Sequence, residues 1–135
     1  MRIDMKKTIG LTRVSSHTQD DLHGGSGLQY QQEKILQYCK LHEYDLYKIV
    51  SDVCSGSLET REGVDEVKSM VQKGEVDCVV IWNTSRSFRS VLHFSRFVSF
   101  LKEHKVELVS VSEGLSSFSK HGQMVFQIMS SISEY

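Results

Sequence analysis

The chain has 135 residues, of which 39% are apolar and 24% charged, and its formal net charge is −1. These values predict one soluble globular domain, and no apolar run reaches the roughly eighteen residues that a membrane span needs. A net charge this close to zero argues against strong nonspecific binding to nucleic acid, so any contact with a polyanion must be local.

The N-terminal residues, MRIDMKKTIGL, contain no long apolar region that leads to a small-residue cleavage site. We therefore expect a cytoplasmic protein. The three cysteines, Cys39, Cys54 and Cys78, are odd in number and widely spaced. This spacing predicts reduced, buried thiols and no disulfide framework or metal knuckle.

Short apolar runs alternate with segments of helical period, a pattern typical of an α/β domain. The third run, DCVVIW, is apolar on both faces and is predicted to lie at the centre of the sheet. We expect a three-layer domain with a mostly parallel central sheet of four to five strands. The four readable strands run from Lys7 to Ser15, Asp45 to Ser51, Asp77 to Asn83 and Val106 to Ser112.

Three helices are predicted between these strands from apolar residues that recur at helical spacing. The first apolar face comprises Leu28, Ile35, Leu36 and Cys39, the second Val64, Val67 and Val71, and the third Phe94, Phe97, Val98 and Leu101.

A last segment, from about Gly122, carries Met124, Ile128 and Ile132 at i, i+4 spacing and is still helical in pattern at Tyr135. We therefore expect a core over residues 1–121 and the start of a long oligomerisation helix over residues 122–135. A DNA-binding region is expected outside this chain. The apolar stripe is predicted to form part of a contact between subunits in a homodimer or homotetramer.

Four of the six arginines follow predicted strands: Arg13, Arg61, Arg86 and Arg89. Ligands of a parallel α/β sheet bind outside the carboxyl ends of its strands, so these side chains are expected at the binding edge. A guanidinium group stays charged and offers a planar fork of donors to phosphate oxygens. The four arginines together predict a phosphate site, although each alone would be an ordinary surface charge.

The side-chain period of two in a strand places Arg13 and Ser15 on one face and Val14 and Ser16 on the other. A hydroxyl group is therefore expected beside the phosphate site. Ser15 is the better candidate nucleophile, and Ser16 is better suited to hydrogen-bonding the following turn.

Other chemistries lack the necessary spacing. The chain has neither a G-x-x-x-x-G-K-[ST] nor a G-x-G-x-x-G motif, and its six histidines form no H-x-x-x-H pair. A receiver-type signalling domain would need an acidic cluster at the edge where Arg13, Ser15 and Asn83 are predicted. We predict no metal and no cofactor.

In order along the chain, these residues resemble the catalytic domain of the serine recombinases, the resolvase and invertase family. Arg13-Val14-Ser15 matches the end of the family's Tyr-x-Arg-Val-Ser pattern. Further matches are Gln19, the Leu28 and Gln31 of a Ser-Leu-x-x-Gln pattern, the Asp52, Ser55 and Gly56 of Asp-x-x-Ser-Gly, the Arg61 and Gly63 beyond it, and the Arg86 and Arg89 of Asp-Arg-x-x-Arg. The polar segment HTQDDLHGGSG resembles the large or transposon-encoded members more than the compact resolvases.

The resemblance implies site-specific DNA recombination, in which a serine cleaves DNA through a 5′-phosphoserine link and four subunits exchange and rejoin strands. It implies Ser15 as nucleophile, phosphate binding by Arg13, Arg86 and Arg89, and assistance from Arg61. Gln19, Gln31, Ser55 and Ser85 are assigned to substrate binding. DNA and further copies of the chain are the implied partners, with no metal or nucleotide.

Two positions depart from the family pattern: Leu11 stands where tyrosine is usual, and Ser85 where aspartate is usual. An aspartate there could handle the leaving-group proton or orient arginines, and serine does neither as well. Asp52 and Glu59 are possible substitutes for the aspartate. The alternative function is a catalytically weakened domain that keeps the fold and the oligomerising helix and regulates or tethers partners.

Overall fold

The computed structural model describes residues 5–15, 27–55, 58–59, 62–84 and 91–133, with the backbone alone at residues 14–15, 53–55, 58–59 and 133. The four longer strands alternate with helices, as the hydrophobic pattern predicts. In chain order the elements are β1 (Lys7–Ser15), α1 (Leu28–Leu41), β2 (Asp45–Ser55), β3 (Leu58–Glu59), α2 (Glu62–Gln72), β4 (Cys78–Ile81), α3 (Val91–Glu103), β5 (Glu107–Ser110), β6 (Leu115–Ser116) and α4 (Lys120–Ser133).

The strands of the described part of the chain form one sheet in the order β3-β2-β1-β4-β5-β6. The four central strands are parallel, and the two-residue strands β3 and β6 add antiparallel edges. The predicted α/β class and mostly parallel sheet are confirmed. The strand number is higher than expected because two-residue strands are too short to show a hydrophobic period.

The sheet lies between two layers of helices and has a core on each face, as the three-layer prediction requires. The larger core joins β1 and β4 to the apolar faces of α2, α3 and α4, and the smaller core joins β4 to α1. In β4 the side chains alternate between the two cores, and all four residues are buried. The central position predicted for this strand is confirmed.

One residue predicted for the core of α1 lies outside it. Leu36 is 56% exposed, whereas Ile35 and Cys39 are buried. The buried stripe of this helix is Gln31, Ile35 and Cys39, at i, i+4 and i+8. Leu36 lies about 100° around the helix from Ile35, because each residue turns an α-helix by that angle. The prediction was wrong because a glutamine occupies a core position where the pattern contains no apolar residue.

The two cysteines whose side chains are described, Cys39 and Cys78, are free thiols in the smaller core. Burial raises the pKa of Cys39 to about 11 and also raises the pKa of Cys78, so both remain protonated at neutral pH. The predicted burial is confirmed for these two.

Candidate active site at the carboxyl-end edge of the sheet

Strand β1 extends beyond its neighbour β4. The last β1–β4 pair is Leu11 with Ile81, while pairing with β2 continues through Arg13 with Asp52 to Ser15 with Cys54. The strand alternation therefore continues to its end and places Arg13 and Ser15 at register positions on one face. Arg13 is partly buried there.

A side chain from α1 occupies the space beside β1 where β4 has ended. The Gln31 amide nitrogen donates to the Arg13 carbonyl oxygen at 3.2 Å, and the Arg13 N–H donates to the Gln31 amide oxygen at 3.4 Å. Gln31 is fully buried. Its amide bonds the strand as a neighbouring peptide would, so it fixes the backbone of Arg13 on the side of β1 where the pairing with β4 has ended.

Asp52, beside Arg13 in the sheet, holds the start of α2. One carboxylate oxygen accepts from the Gly63 N–H at 2.5 Å and the other from the Val64 N–H at 3.2 Å. These are N–H groups that the first turn of a helix leaves without intrahelical partners. A Cβ on Gly63 would lie 2.8 Å from the nearer Asp52 oxygen, so this approach requires glycine. Asp52 therefore has a defined capping role, and its use as a substitute acid stays a prediction.

The ends of β4 and β5 continue side by side past the sheet. The Val111 and Ser112 N–H groups donate to the Ile81 and Trp82 carbonyl oxygens at 2.9 and 2.8 Å. One residue further on, Glu113 accepts hydrogen bonds from Thr84, at 3.0 Å from its N–H and 3.1 Å from its hydroxyl.

Sequence reasoning did not find Glu113. The sequence does contain a signal for it: an acidic residue follows the fourth predicted strand, in VSVSEG, at the edge where the arginines are predicted. Glu59, the other suggested substitute for the aspartate, lies in β3 and pairs with Cys54.

Several predicted site residues fall outside the described residues: Gln19, Arg61, Ser85, Arg86 and Arg89, together with the side chains of Ser15 and Ser55. Their roles stay predictions. Among the predicted residues whose side chains are described, the structure brings Arg13 and Gln31 together.

Within the described ranges, no group of three or more histidine, cysteine or acidic residues is arranged to hold a metal ion. The same residues include no helix that is both long and apolar enough to cross a membrane.

Helix α4 presents an apolar stripe to its surroundings. Met124, Ile128 and Ile132 are 54%, 53% and 60% exposed, whereas Phe126 on the opposite side is buried against Phe94. The stripe lies outside the core, and its part in a contact between subunits stays a prediction.

Comparison with known families gives a match over nearly the whole chain. The family described as "Resolvase, N terminal domain" matches residues 8–135. Among curated relatives, the DNA-invertase hin of Salmonella typhimurium is 28% identical over 127 residues, which are 94% of this chain and 59% of hin. The transposon Tn552 resolvase of Staphylococcus aureus is 29% identical over 102 residues, which are 74% of this chain and 51% of that protein. The chain spans about half the length of the curated relatives it matches.

Two solved structures are similar in fold. The N-terminal catalytic domain of TP901-1 integrase superposes with a TM-score of 0.83 at 23% identity, covering 96% of this chain and 95% of that one. A resolvase family site-specific recombinase from Streptococcus pneumoniae gives 0.79 at 22% identity, covering 96% and 86%. At these identities the likeness shows a common fold.

Proposed function

Because this chain belongs to the resolvase family of serine recombinases, we propose that it is the catalytic domain of a site-specific DNA recombinase. The observation that carries the proposal is the end of β1, where Arg13 and Ser15 share a face beyond the last β4 pair. This arrangement supports a nucleophile beside a phosphate-binding group at the ligand edge of a parallel sheet.

In the proposed reaction the Ser15 Oγ attacks the phosphorus of a DNA phosphodiester. The Oγ–P bond forms and the bond from phosphorus to the 3′ oxygen breaks, which leaves a 5′-phosphoserine link and a 3′ hydroxyl. Ser15 loses one proton and the leaving oxygen gains one. Rejoining reverses each step with a new 3′ hydroxyl. Because the phosphate ester is retained throughout, the proposal requires no energy source and includes no metal or cofactor.

Arginines supply the charge that this chemistry needs. Phosphoryl transfer depends on positioning and on stabilising charge at the phosphate oxygens. We assign Arg13, Arg86 and Arg89 to the scissile phosphate and Arg61 to assistance. The bonds between Gln31 and the Arg13 backbone support this assignment for Arg13, since they fix where its side chain begins. Substrate binding by Gln19, Gln31, Ser55 and Ser85 remains a prediction.

The proposed partners are DNA and further copies of the chain. The exposed stripe of α4 supports assembly into a homodimer or homotetramer through this helix. We propose residues 1–121 as the core, residues 122–135 as the start of the oligomerising helix, and a DNA-recognition region elsewhere in the protein.

The oligomer is tested by the solution mass of this chain and of the longer protein, measured by light scattering. Ile128→Lys should reduce the mass to that of a monomer, because it places a charge in the stripe. Gln127→Lys, at the adjacent exposed position, should leave the mass unchanged. Monomers of both unmodified proteins would contradict the proposal.

The nucleophile is tested with the protein as it is encoded and supercoiled DNA that carries the flanks of its gene, since a relative such as the Tn552 resolvase is named for a transposon. The measurement is the yield of protein–DNA adducts that survive denaturation in detergent. Ser15→Ala should abolish them, and the neighbouring Ser16→Ala should preserve them. Adducts that persist in Ser15→Ala would overturn the assignment.

The alternative of a weakened, regulatory domain rests on Leu11 and Ser85. Leu11 is 1% exposed in the larger core. Leu11→Tyr would therefore overpack the core, and a loss of stability would be mixed with any change in activity. Ser85→Asp is the cleaner variant. A large gain in adduct yield would favour a weakened domain, and no gain would favour a native site that works without this aspartate.

A further inference from the structure

Glu113 connects two chain segments at the proposed active edge. It lies three residues after Ser110, the last residue of β5, and Thr84 lies three residues after Ile81, the last residue of β4. Ser110 and Ile81 are paired in the sheet. The two segments therefore leave the sheet together, and Glu113 joins them at the first point where the backbone bonds between them end.

Both carboxylate oxygens of Glu113 have donors. One accepts from the Thr84 N–H at 3.0 Å and from the Ser110 hydroxyl at 2.5 Å, and the other accepts from the Thr84 hydroxyl at 3.1 Å. Thr84 and Ser110 are buried. Hydrogen bonds to an ionised acceptor are about twice as strong as neutral ones, so this carboxylate holds Thr84 at a defined distance from β5.

Thr84 is the residue from which the arginine segment departs. Ser85 follows it directly, and Arg86 and Arg89 are two and five residues further along the chain. A guanidinium group can be positioned at a phosphate only if the backbone that carries the arginine is itself held in place. Position 85 is a serine, and Glu113 is a carboxylate that hydrogen-bonds directly to the residue where this segment starts.

We propose that Glu113 is a positioning residue for the recombination reaction: through Thr84 it fixes the start of the segment that presents Arg86 and Arg89 to the scissile phosphate. The inference rests on the proposed function. It assigns Glu113 no contact with DNA, so its loss slows cleavage of bound DNA and leaves DNA affinity unchanged.

The test compares Glu113→Gln, Thr84→Val and Thr84→Ser in the protein as it is encoded. Glu113→Gln replaces one carboxylate oxygen by an NH₂ group that cannot accept. Thr84→Val removes only the hydroxyl donor in a side chain of equal shape, and Thr84→Ser keeps that donor. The matched control is Glu75→Gln, an exposed glutamate just before β4, at the opposite end of the sheet.

Two quantities are measured on DNA carrying the flanks of the gene: the dissociation constant, and the single-turnover rate of adduct formation at saturating DNA. Glu113→Gln and Thr84→Val should lower the rate by roughly tenfold, as the loss of a hydrogen bond to a charged group implies. Their dissociation constants should match that of the wild type. Thr84→Ser and Glu75→Gln should react at the wild-type rate.

A second readout needs no activity. Amide hydrogen exchange, followed by mass spectrometry of peptides over residues 85–90, should be roughly tenfold faster in Glu113→Gln and Thr84→Val than in Thr84→Ser and Glu75→Gln. Wild-type exchange and wild-type rates in Thr84→Val and Glu113→Gln would overturn the inference. Failure of the proposed function itself would appear differently, as a wild-type protein that forms no adduct while the exchange difference persists.

Discussion

The two ends of the parallel sheet use their carboxylates in different ways. At the amino ends of the strands, Glu107 pairs with the ammonium group of Lys6 at 2.5 Å and accepts from the Ser116 hydroxyl at 2.5 Å. At the carboxyl ends, Asp52 and Glu113 accept from backbone N–H groups of α2 and of Thr84. At the amino end the carboxylate neutralises a charge within the chain, whereas at the carboxyl end the carboxylates fix the start of α2 and the backbone of Thr84.

This difference supports the proposal that an external anion binds at the carboxyl ends of the strands. The Lys6 ammonium group also lies 5.3 Å from the Tyr44 ring centroid and 5.2 Å from the Phe118 ring centroid. Its charge therefore makes cation–π contacts within the chain in addition to its ion pair with Glu107. At the carboxyl ends, Gln31 and Glu113 hydrogen-bond the backbones of Arg13 and Thr84, and the sequence predicts further arginines at the same edge. Changes at the amino end should therefore alter stability alone, whereas changes at the carboxyl end should also alter adduct formation.

The largest effect is expected from Gln31→Leu. The substitution leaves the N–H and C=O groups of Arg13 without their amide partner beside a buried side chain. The free energy of unfolding should fall by about 3 kcal/mol, at about 1–3 kcal/mol for each such group. Adduct formation should fall as well, because the backbone of Arg13 is no longer held.

Denaturant unfolding and the adduct assay check this prediction together. Gln37→Leu is the control, since Gln37 is exposed on the same helix. If Gln31→Leu lost stability but cleaved DNA at the normal rate, the carboxyl end would differ from the amino end less than proposed.

Gly122→Ala should be nearly as damaging to stability but should not act through the arginine site. A Cβ on Gly122 would lie 1.8 Å from the Ser116 carbonyl oxygen, so the turn into α4 must move. We expect a loss of about 3 kcal/mol, at the upper end for overpacking because the obstacle is backbone. Thermal unfolding measures it, and the neighbouring, exposed Gln123→Ala should leave the midpoint almost unchanged.

Glu107→Gln probes the charge that the amino end neutralises. Burial alone would raise the pKa of Glu107, but the hydrogen bonds from Lys6 and Ser116 hold that pKa below its ordinary value. The folded chain therefore loses this stabilisation as pH falls below the unfolded value of about 4.3 and through the folded pKa. At neutral pH the substitution should cost about 2 kcal/mol, as for hydrogen bonds to a charged group.

Unfolding measured from pH 7 to pH 3 separates this effect from a general loss of packing. Between pH 5 and pH 3 the free energy of unfolding of the wild type should fall more steeply than that of Glu107→Gln. At neutral pH, where both proteins are folded, the two should form adducts at the same rate. Parallel pH profiles would show that Glu107 is not the group responsible.

Much of this architecture was predictable because hydrophobic period is a local property. The burial of both faces of DCVVIW and the common face of Arg13 and Ser15 depend only on neighbouring residues. The backbone of the structure agrees with both predictions. The role of Gln31 was not predictable, because it depends on β4 ending four residues before β1 does in the paired register. Glu113 likewise acquires its role from Thr84, which is 29 residues away in sequence.

The smallest effect is expected from Tyr44→Phe. This substitution tests whether Lys6 and Ser116 supply most of the stabilisation of the Glu107 carboxylate. The Tyr44 hydroxyl donates to Glu107 at 3.4 Å, a long hydrogen bond, and the Phe ring preserves the contact with the Lys6 ammonium group. The cost should be about 0.5 kcal/mol, whereas Ser116→Ala, which removes a 2.5 Å bond, should cost about 1.5 kcal/mol. Both are measured by denaturant unfolding at pH 7. If Tyr44→Phe destabilised the protein more than Ser116→Ala, the Tyr44 hydroxyl would contribute more to stabilising the Glu107 carboxylate than the Ser116 hydroxyl does. The assignment of most of this stabilisation to Lys6 and Ser116 would then be wrong.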